Sequence, residues 1–177
     1  MTPAQVLAAA FADDPLMSHV WPEPARRRKS LPLLWESRIA SRQRHGTVDL
    51  AYAEDGTVAA VALWEVPGVE AGLAKRLTLL RALGRSLPRA LPAIRGIEAT
   101  RPPEPHLYLA TIGTRPDLQG RGYAAELIRR RLADGTEPGF LVATRASNVP
   151  FYERFGFRVT VPVRVAEVAL YPMALTR

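Results

Sequence analysis

Runs of apolar residues with helical or alternating spacing divide this chain into successive elements. Val6 to Phe11, then Leu16 to Val20, reads as helix with an irregular turn at Asp13-Asp14-Pro15. A longer helix opens at Pro24 and carries Leu31, Leu34, Trp35, Arg38 and Ile39 at helical spacing, with a stop expected at His45-Gly46. Val48 to Ala53 alternates with period two, Glu54-Asp55-Gly56-Thr57 holds the Asp-Gly signal of a tight turn, and Val58 to Trp64 is almost wholly apolar. A strand apolar on both faces predicts a central place in a sheet covered on both sides.

Residues 70–100 are the least regular. Leu73, Leu77, Leu80, Leu83 and Leu87 keep helical spacing that Gly84, Pro88 and Pro92 break, which predicts one or two helices forming a lid or side wall. Arg101-Pro102-Pro103-Glu104-Pro105 reads as an extended connector, because a residue before proline disfavours helix. His106 to Ile112 predicts a strand that runs through Gly113-Thr114 into a loop ending at Gly122. The next helix places Tyr123, Ala124, Leu127, Ile128 and Leu132 on one face, Glu126, Arg129 and Arg130 on the other, and stops at Asp134-Gly135. Gly139 to Thr144 reads as a buried strand and Ser147 to Phe155 as a short helix capped by Gly156. Phe157 to Val161 reads as another strand, and Val163 to Ala174 as one last strand. This order predicts an α/β fold with a mixed sheet and helices on both faces. Residues 1–177 read as one domain, with 70–105 a variable helical segment and connector and 106–160 the functional core.

Composition narrows the chemistry. The 177 residues contain no cysteine, which excludes a thiolate zinc site and a cysteine nucleophile. No window approaches the ~20 apolar residues of a membrane helix. Met1 to Ala12 lacks a basic segment before its apolar stretch and is followed by Asp13 and Asp14, so a cytoplasmic protein without a secretory signal is expected. The net charge is +7, and 22 of the 24 basic residues are arginine. Apart from Arg26-Arg27-Arg28-Lys29 they are spread along the chain, so the charge fits an anionic small ligand at least as well as a nucleic acid.

One junction carries most of the functional signal. Gln119-Gly120-Arg121-Gly122-Tyr123-Ala124 lies between a predicted strand and a predicted helix. The first N–H groups of a helix lack intrahelical partners and sit at the positive end of its dipole, so glycines there form an anion cradle. The lysine of a nucleotide-triphosphatase loop is missing, and so is the Rossmann glycine pattern. Some 25 residues on, Asn148-Val149-Pro150-Phe151-Tyr152 begins a short helix that ends at Phe155-Gly156-Phe157. Asn148 can cap it or offer its amide to a ligand, and Tyr152 follows one turn later. Taken alone, this stretch is an amphipathic helix with Phe151 and Phe155 in the core.

Together the two motifs resemble the GNAT superfamily of acyl-CoA-dependent N-acetyltransferases. Gln119 to Ala124 fits that family's Gln/Arg-x-x-Gly-x-Gly/Ala pyrophosphate motif, and Asn148 to Phe157 fits its later helix and strand. Pro103 to Gly113 also looks like puromycin N-acetyltransferase and its relatives. The resemblance implies a V-shaped opening between parallel strands ending near Gly113 and Thr144, with pantetheine paired to the main chain of Ile112 and Thr114. It implies that Gly120, Arg121, Gly122, Tyr123 and Ala124 hold the pyrophosphate of acetyl-CoA, aided by Gln119, and that Gly113 and Asn148 lie at the cofactor site.

The resemblance further makes Tyr152 the general acid toward the coenzyme A thiolate, a task for which a phenol of pKa about 10 is suitably protonated. The strand glutamate that serves many members as base is absent. His106 and Tyr108, two residues apart on one strand face, stand where arylalkylamine N-acetyltransferases have paired histidines. Glu65 and Glu36 are the reserve bases, and His19, His45, Asp13 and Asp14 are candidates for the acceptor pocket. Without cysteine, direct attack by a small-molecule primary amine in a ternary complex is the simplest route. No metal or membrane partner is expected, nucleic acid is disfavoured, and edge strands near the C-terminus allow a homodimer. The alternatives are acetylation of aminoacyl-tRNA, with Arg76, Arg81, Arg85, Arg89 and Arg95 on its phosphates, acetylation of a protein amine, or a catalytically silent CoA-binding module.

Overall fold

In the computed structural model, which describes residues 1–43, 47–67, 83–133 and 135–176, the apolar run after the Asp-Gly turn forms strand β2 (Val58–Glu65). It pairs antiparallel with β1 (Val48–Tyr52) on one side and β3 (Leu107–Thr114) on the other. Its side chains divide by parity. Ala60, Ala62 and Trp64 enter one core with Leu127 and Ile128, whereas Val61 and Leu63 enter a second with Leu7, Leu31 and Trp35. Burial on both faces explains why the strand carries no charge before Glu65.

The sheet continues through β4 (Gly139–Ala143), β5 (Arg158–Val159), β6 (Val163–Val165) and β7 (Val168–Leu175), in the spatial order β1-β2-β3-β4-β7-β5 with β6 paired to β7. β3 and β4 run parallel and their neighbours antiparallel, so the sheet is mixed as expected. The last expected strand is instead a hairpin. Ala166 takes a positive φ of 50° between Val163–Val165 and Val168–Leu175, and alternation alone does not reveal a turn lacking Gly, Asn or Pro. β5 is also shorter than the expected 157–161.

Helices α1 (Pro3–Ala10), α2 (Pro15–Val20) and α3 (Pro24–Gln43) cover one face. Thr2 and Gln5 form a capping box on α1, and Asp14 caps α2 by accepting the N–H groups of Leu16 and Met17 at 2.9 and 3.1 Å. Helix α4 (Leu87–Ala99) contains Pro92 rather than ending at it, while Pro88 lies in its first turn. It packs on β6 through Gly96, where an added Cβ would lie 2.6 Å from Val165. Helix α5 (Tyr123–Ala133) covers the opposite face. The segment expected as helix over 147–155 splits into a 3-10 turn, Ala146–Asn148, and a one-turn helix α6 (Val149–Glu153). The expected stop at His45-Gly46, the leucines 73, 77 and 80, and Asp134 lie outside the described residues. Among the described residues no helix is long and apolar enough to cross a membrane.

The basic run also resolves differently. Arg27 is buried, with Nε donating to Ala12 O and Nη1 to Trp21 O, both at 2.6 Å. It therefore ties the ends of α1 and α2 to α3, while Arg26, Arg28 and Lys29 stay exposed.

Candidate active site

The sheet opens where β3 and β4 part. Their parallel register runs only over Leu107–Gly139, Tyr108–Phe140 and Leu109–Leu141. Beyond it, Thr111 to Thr114 remain paired to β2 alone, and Ala110 to Thr114 line a cleft of about 700 Å³, a size suited to a ligand site. On the β2 side Leu63 lies opposite Thr111 and Trp64 opposite Leu109, so Ala110 is an extra residue in a β-bulge at the fork. Gly113 is required here for packing, since an added Cβ would stand 2.9 Å from the Cβ of Ala10 and 3.0 Å from Leu7 Cδ2. That contact brings α1 down onto β3.

At the end where β3 leaves the sheet, the cleft wall is main chain. Gly120 and Gly122 have φ values of +79° and +90°, which L side chains rarely adopt, and the space a Cβ would occupy is open at both. The first intrahelical bond of α5 runs from Glu126 N–H to Gly122 O at 2.9 Å, leaving the N–H groups of Tyr123, Ala124 and Ala125 without intrahelical partners. Gln119 reaches back to Thr114 O at 3.4 Å. Ile112, Gly113, Thr114, Gln119, Gly120, Gly122, Tyr123, Ala124 and Asn148 all line the cleft; exposed Arg121 does not. Asn148 starts α6 without a side-chain capping bond, so its amide is left for other contacts. Arg129, expected on the outer face of its helix, lines the cleft as well, as do Arg145 and Arg154, and nothing in the sequence motif marked them.

Tyr152 also lines the cleft. Its ring packs edge-on against Phe151 at 5.1 Å, and burial followed by the nearby Asp14 carboxylate pushes its hydroxyl well above the usual phenol range. It therefore keeps its proton at neutral pH. Asp14, only 4% exposed, accepts a hydrogen bond from the Thr144 hydroxyl and so pins α2 to the end of β4. Asp14 lines the cleft, whereas Asp13 and His19 do not.

The other end is built from side chains. Tyr108 is buried under the Arg101 guanidinium, 4.3 Å from the ring centroid, and burial followed by Glu65 pushes its hydroxyl up to about 12. Glu65 is claimed on both oxygens: Arg42 donates to Oε1 and Arg101 to Oε2 at 3.0 Å. Burial raises this carboxyl, but Arg42 and then Arg101 outweigh it and hold it below the ordinary range. A carboxylate so held is a poor base. Arg38, Trp35 and Glu98 complete the lining. His106 is absent from it: Nδ1 lies 2.7 Å from Glu104 O, the ring packs edge-on against Phe140, and Nε2 is sealed without a partner. Glu36 is exposed and does not line the cleft. Among the described residues no three metal-ligating acids or imidazoles come together.

A forked parallel pair, a bulge at the fork and a glycine turn opening onto a helix N-terminus border this cleft. The acetyltransferase (GNAT) family profile matches residues 10–157, and the chain belongs to that family. A Corynebacterium glutamicum structure described as histone acetyltransferase HPA2 and related acetyltransferase is similar over 98% of this chain and 88% of its own, at 26% identity and TM-score 0.76. Arylalkylamine N-acetyltransferase 2 of Aedes aegypti is similar over 98% and 93%, at 17% identity and TM-score 0.65. A Drosophila melanogaster polyamine N-acetyltransferase is similar over 98% and 92%, at 17% identity and TM-score 0.56.

Proposed function

We propose that this protein moves the acetyl group of acetyl-CoA to a primary amine of a small molecule by direct attack within the cleft. The observation that carries the reading is the fork after Leu109–Leu141, which frees one edge of Ala110 to Thr114 beside the glycine turn. The free edge suits the amides of pantetheine, and the turn with the α5 N-terminus suits a pyrophosphate. Arg129, Arg145 and Arg154 add positive charge along the same wall. Acetyl-CoA supplies the activated acyl carbon. Polarisation of its carbonyl, as charge grows on the oxygen, is assigned to a main-chain N–H near Ile112, which lines the cleft.

Tyr152 is assigned the proton that the departing thiolate takes up: it lines the cleft, and its raised pKa keeps it protonated, although the same rise makes it a weaker donor. Tyr108 also stays protonated and serves to position the acceptor rather than to take its proton. His106 stands outside the lining and Glu65 is held by two arginines, so the amine proton is assigned to water in the open cleft. The likeness of Pro103 to Gly113 to puromycin N-acetyltransferases adds puromycin to the acceptors to try, as an amine without an anionic group. The test is thiol release from acetyl-CoA across an amine panel, and the cysteine-free chain adds no background to it. Acetyl-CoA should raise Tm with concentration. Absence of both stabilisation and amine-dependent thiol release overturns the reading.

A further inference from the structure

We propose that the amine accepted by this cleft also carries an anionic group, a carboxylate in the simplest case, which pairs with the guanidinium of Arg38. This inference rests on the acetyl-transfer reading and adds the acceptor's chemical class. It starts from one face of α3, where Leu31, Leu34, Trp35 and Arg42 are buried. Leu34, Trp35 and Arg38 of that face reach the cleft lining.

Among the described residues the Arg38 side chain forms no hydrogen bond or ion pair, and its Nε is sealed from water without a partner. The indole N–H of Trp35, three residues earlier on the same helix, is buried and unpartnered as well. The carboxylates near Arg38 are engaged elsewhere. Glu65 binds Arg42 through Oε1 and Arg101 through Oε2, and Glu98 Oε1 lies 3.4 Å from Arg101. Tyr108, the remaining titratable neighbour, is neutral. Three guanidiniums therefore face two carboxylates, and Arg38 is the one left over. The residue is half-buried, with Nε sealed; burial first, then the neighbouring Arg42 charge, weakens its hold on its proton, and the Glu65 and Glu98 charges offset this only in part. A ligand carboxylate would supply the missing anion through charge-assisted hydrogen bonds.

Arg38 lines the same cleft as Tyr108 and Ala110, and Tyr108 is two strand residues, roughly 7 Å, from the bulge at Ala110 along β3. ω-Amino acids of four to six carbons, which hold an amine and a carboxylate apart on that scale, are therefore the series to try.

The experiment compares each four- to six-carbon ω-amino acid with its own primary amide, a pair that differs chiefly in the anion. Thiol release from acetyl-CoA gives kcat/KM for the native protein, Arg38→Leu and Arg38→Lys, and Tm shifts of the CoA-loaded protein give binding. The carboxylate of at least one pair should be preferred by about tenfold or more in the native protein. Arg38→Leu should reduce the preference to near unity, and Arg38→Lys should restore part of it. Equal use of carboxylate and amide by the native protein overturns the proposal without needing any variant. So does a preference that survives in Arg38→Leu, or turnover of other amines with none of this series. In each of those cases acetyl-CoA still stabilises the protein and the acetyl-transfer reading stands. If acetyl-CoA neither stabilises the protein nor releases thiol, that reading fails and the acceptor class falls with it.

Discussion

At the α5 end the cleft is lined by main chain, with Gly120 and Gly122 at positive φ and three N–H groups free of intrahelical partners. At the Arg38 end it is lined by side chains from α3, β2, α4 and β3, tied together by bonds such as Arg42 to Glu65 and Arg101 to Glu65. The first end depends on backbone conformation within six contiguous residues. The second depends on pairs separated by 23 and 36 positions, and a change at one member leaves the other charge buried. One end is thus set by local conformation, and the other by which distant side chains meet.

The largest effect is expected at Tyr152. Tyr152→Phe keeps the ring and its contact with Phe151 but removes the hydroxyl, so kcat should fall roughly ten- to a thousandfold while acetyl-CoA still raises Tm. A loss below about threefold makes Tyr152 a packing residue. At the backbone end, Gly122→Asp places a carboxylate in the anion cradle and forces φ +90° on an L residue. It should abolish the acetyl-CoA-dependent Tm shift, whereas Gly122→Ala should bear only the conformational cost of about 1–2 kcal/mol. Equal loss in both variants would show that conformation alone governs this end.

Gly113→Ala tests how the backbone end is held. Its Cβ would crowd Ala10 and Leu7, so urea unfolding should show a loss of about 1–3 kcal/mol unless α1 moves. An unchanged midpoint would mean that α1 yields freely. The smallest effect belongs to Glu65→Gln, measured as Tm against pH. The Glu65 pKa is depressed in the folded protein, so its pairing stabilises above the ordinary value of 4.5 and is lost as pH falls below it. The gap between native protein and variant should be a few °C at pH 7, on the order of what ~1 kcal/mol does in a domain of this size, and should close as pH falls from 4.5 through the lowered Glu65 pKa. A gap constant with pH would place the effect in packing rather than charge.

Local chemistry made part of this protein readable in advance. The Asp-Gly turn, the doubly apolar β2, the helix at Tyr123 and the glycine junction are each set by neighbouring residues, and all stand where periodicity and turn signals put them. The hairpin at Ala166 escaped because its positive φ belongs to a residue with no preference for it, and α6 fell to one turn where a continuous helix was expected. Glu65 was a reserve base by its position at a strand end, but the arginines that occupy it come from α3 and the connector after α4. His106 shares the strand parity of Tyr108, yet it precedes the paired register of β3 and turns to Glu104.

By itself the sequence determined the glycine turn and the start of α5 that border the cleft, because these are properties of adjacent residues and their φ angles. Tertiary structure alone brought Arg129, Arg145 and Arg154 into the lining and decided the charge pairing at the Arg38 end. Which of Arg38, Arg42 and Arg101 reach Glu65, and which is left without an anion, depends on how α3, β2 and the connector meet, and no local spacing encodes the distance between side chains that lie dozens of residues apart.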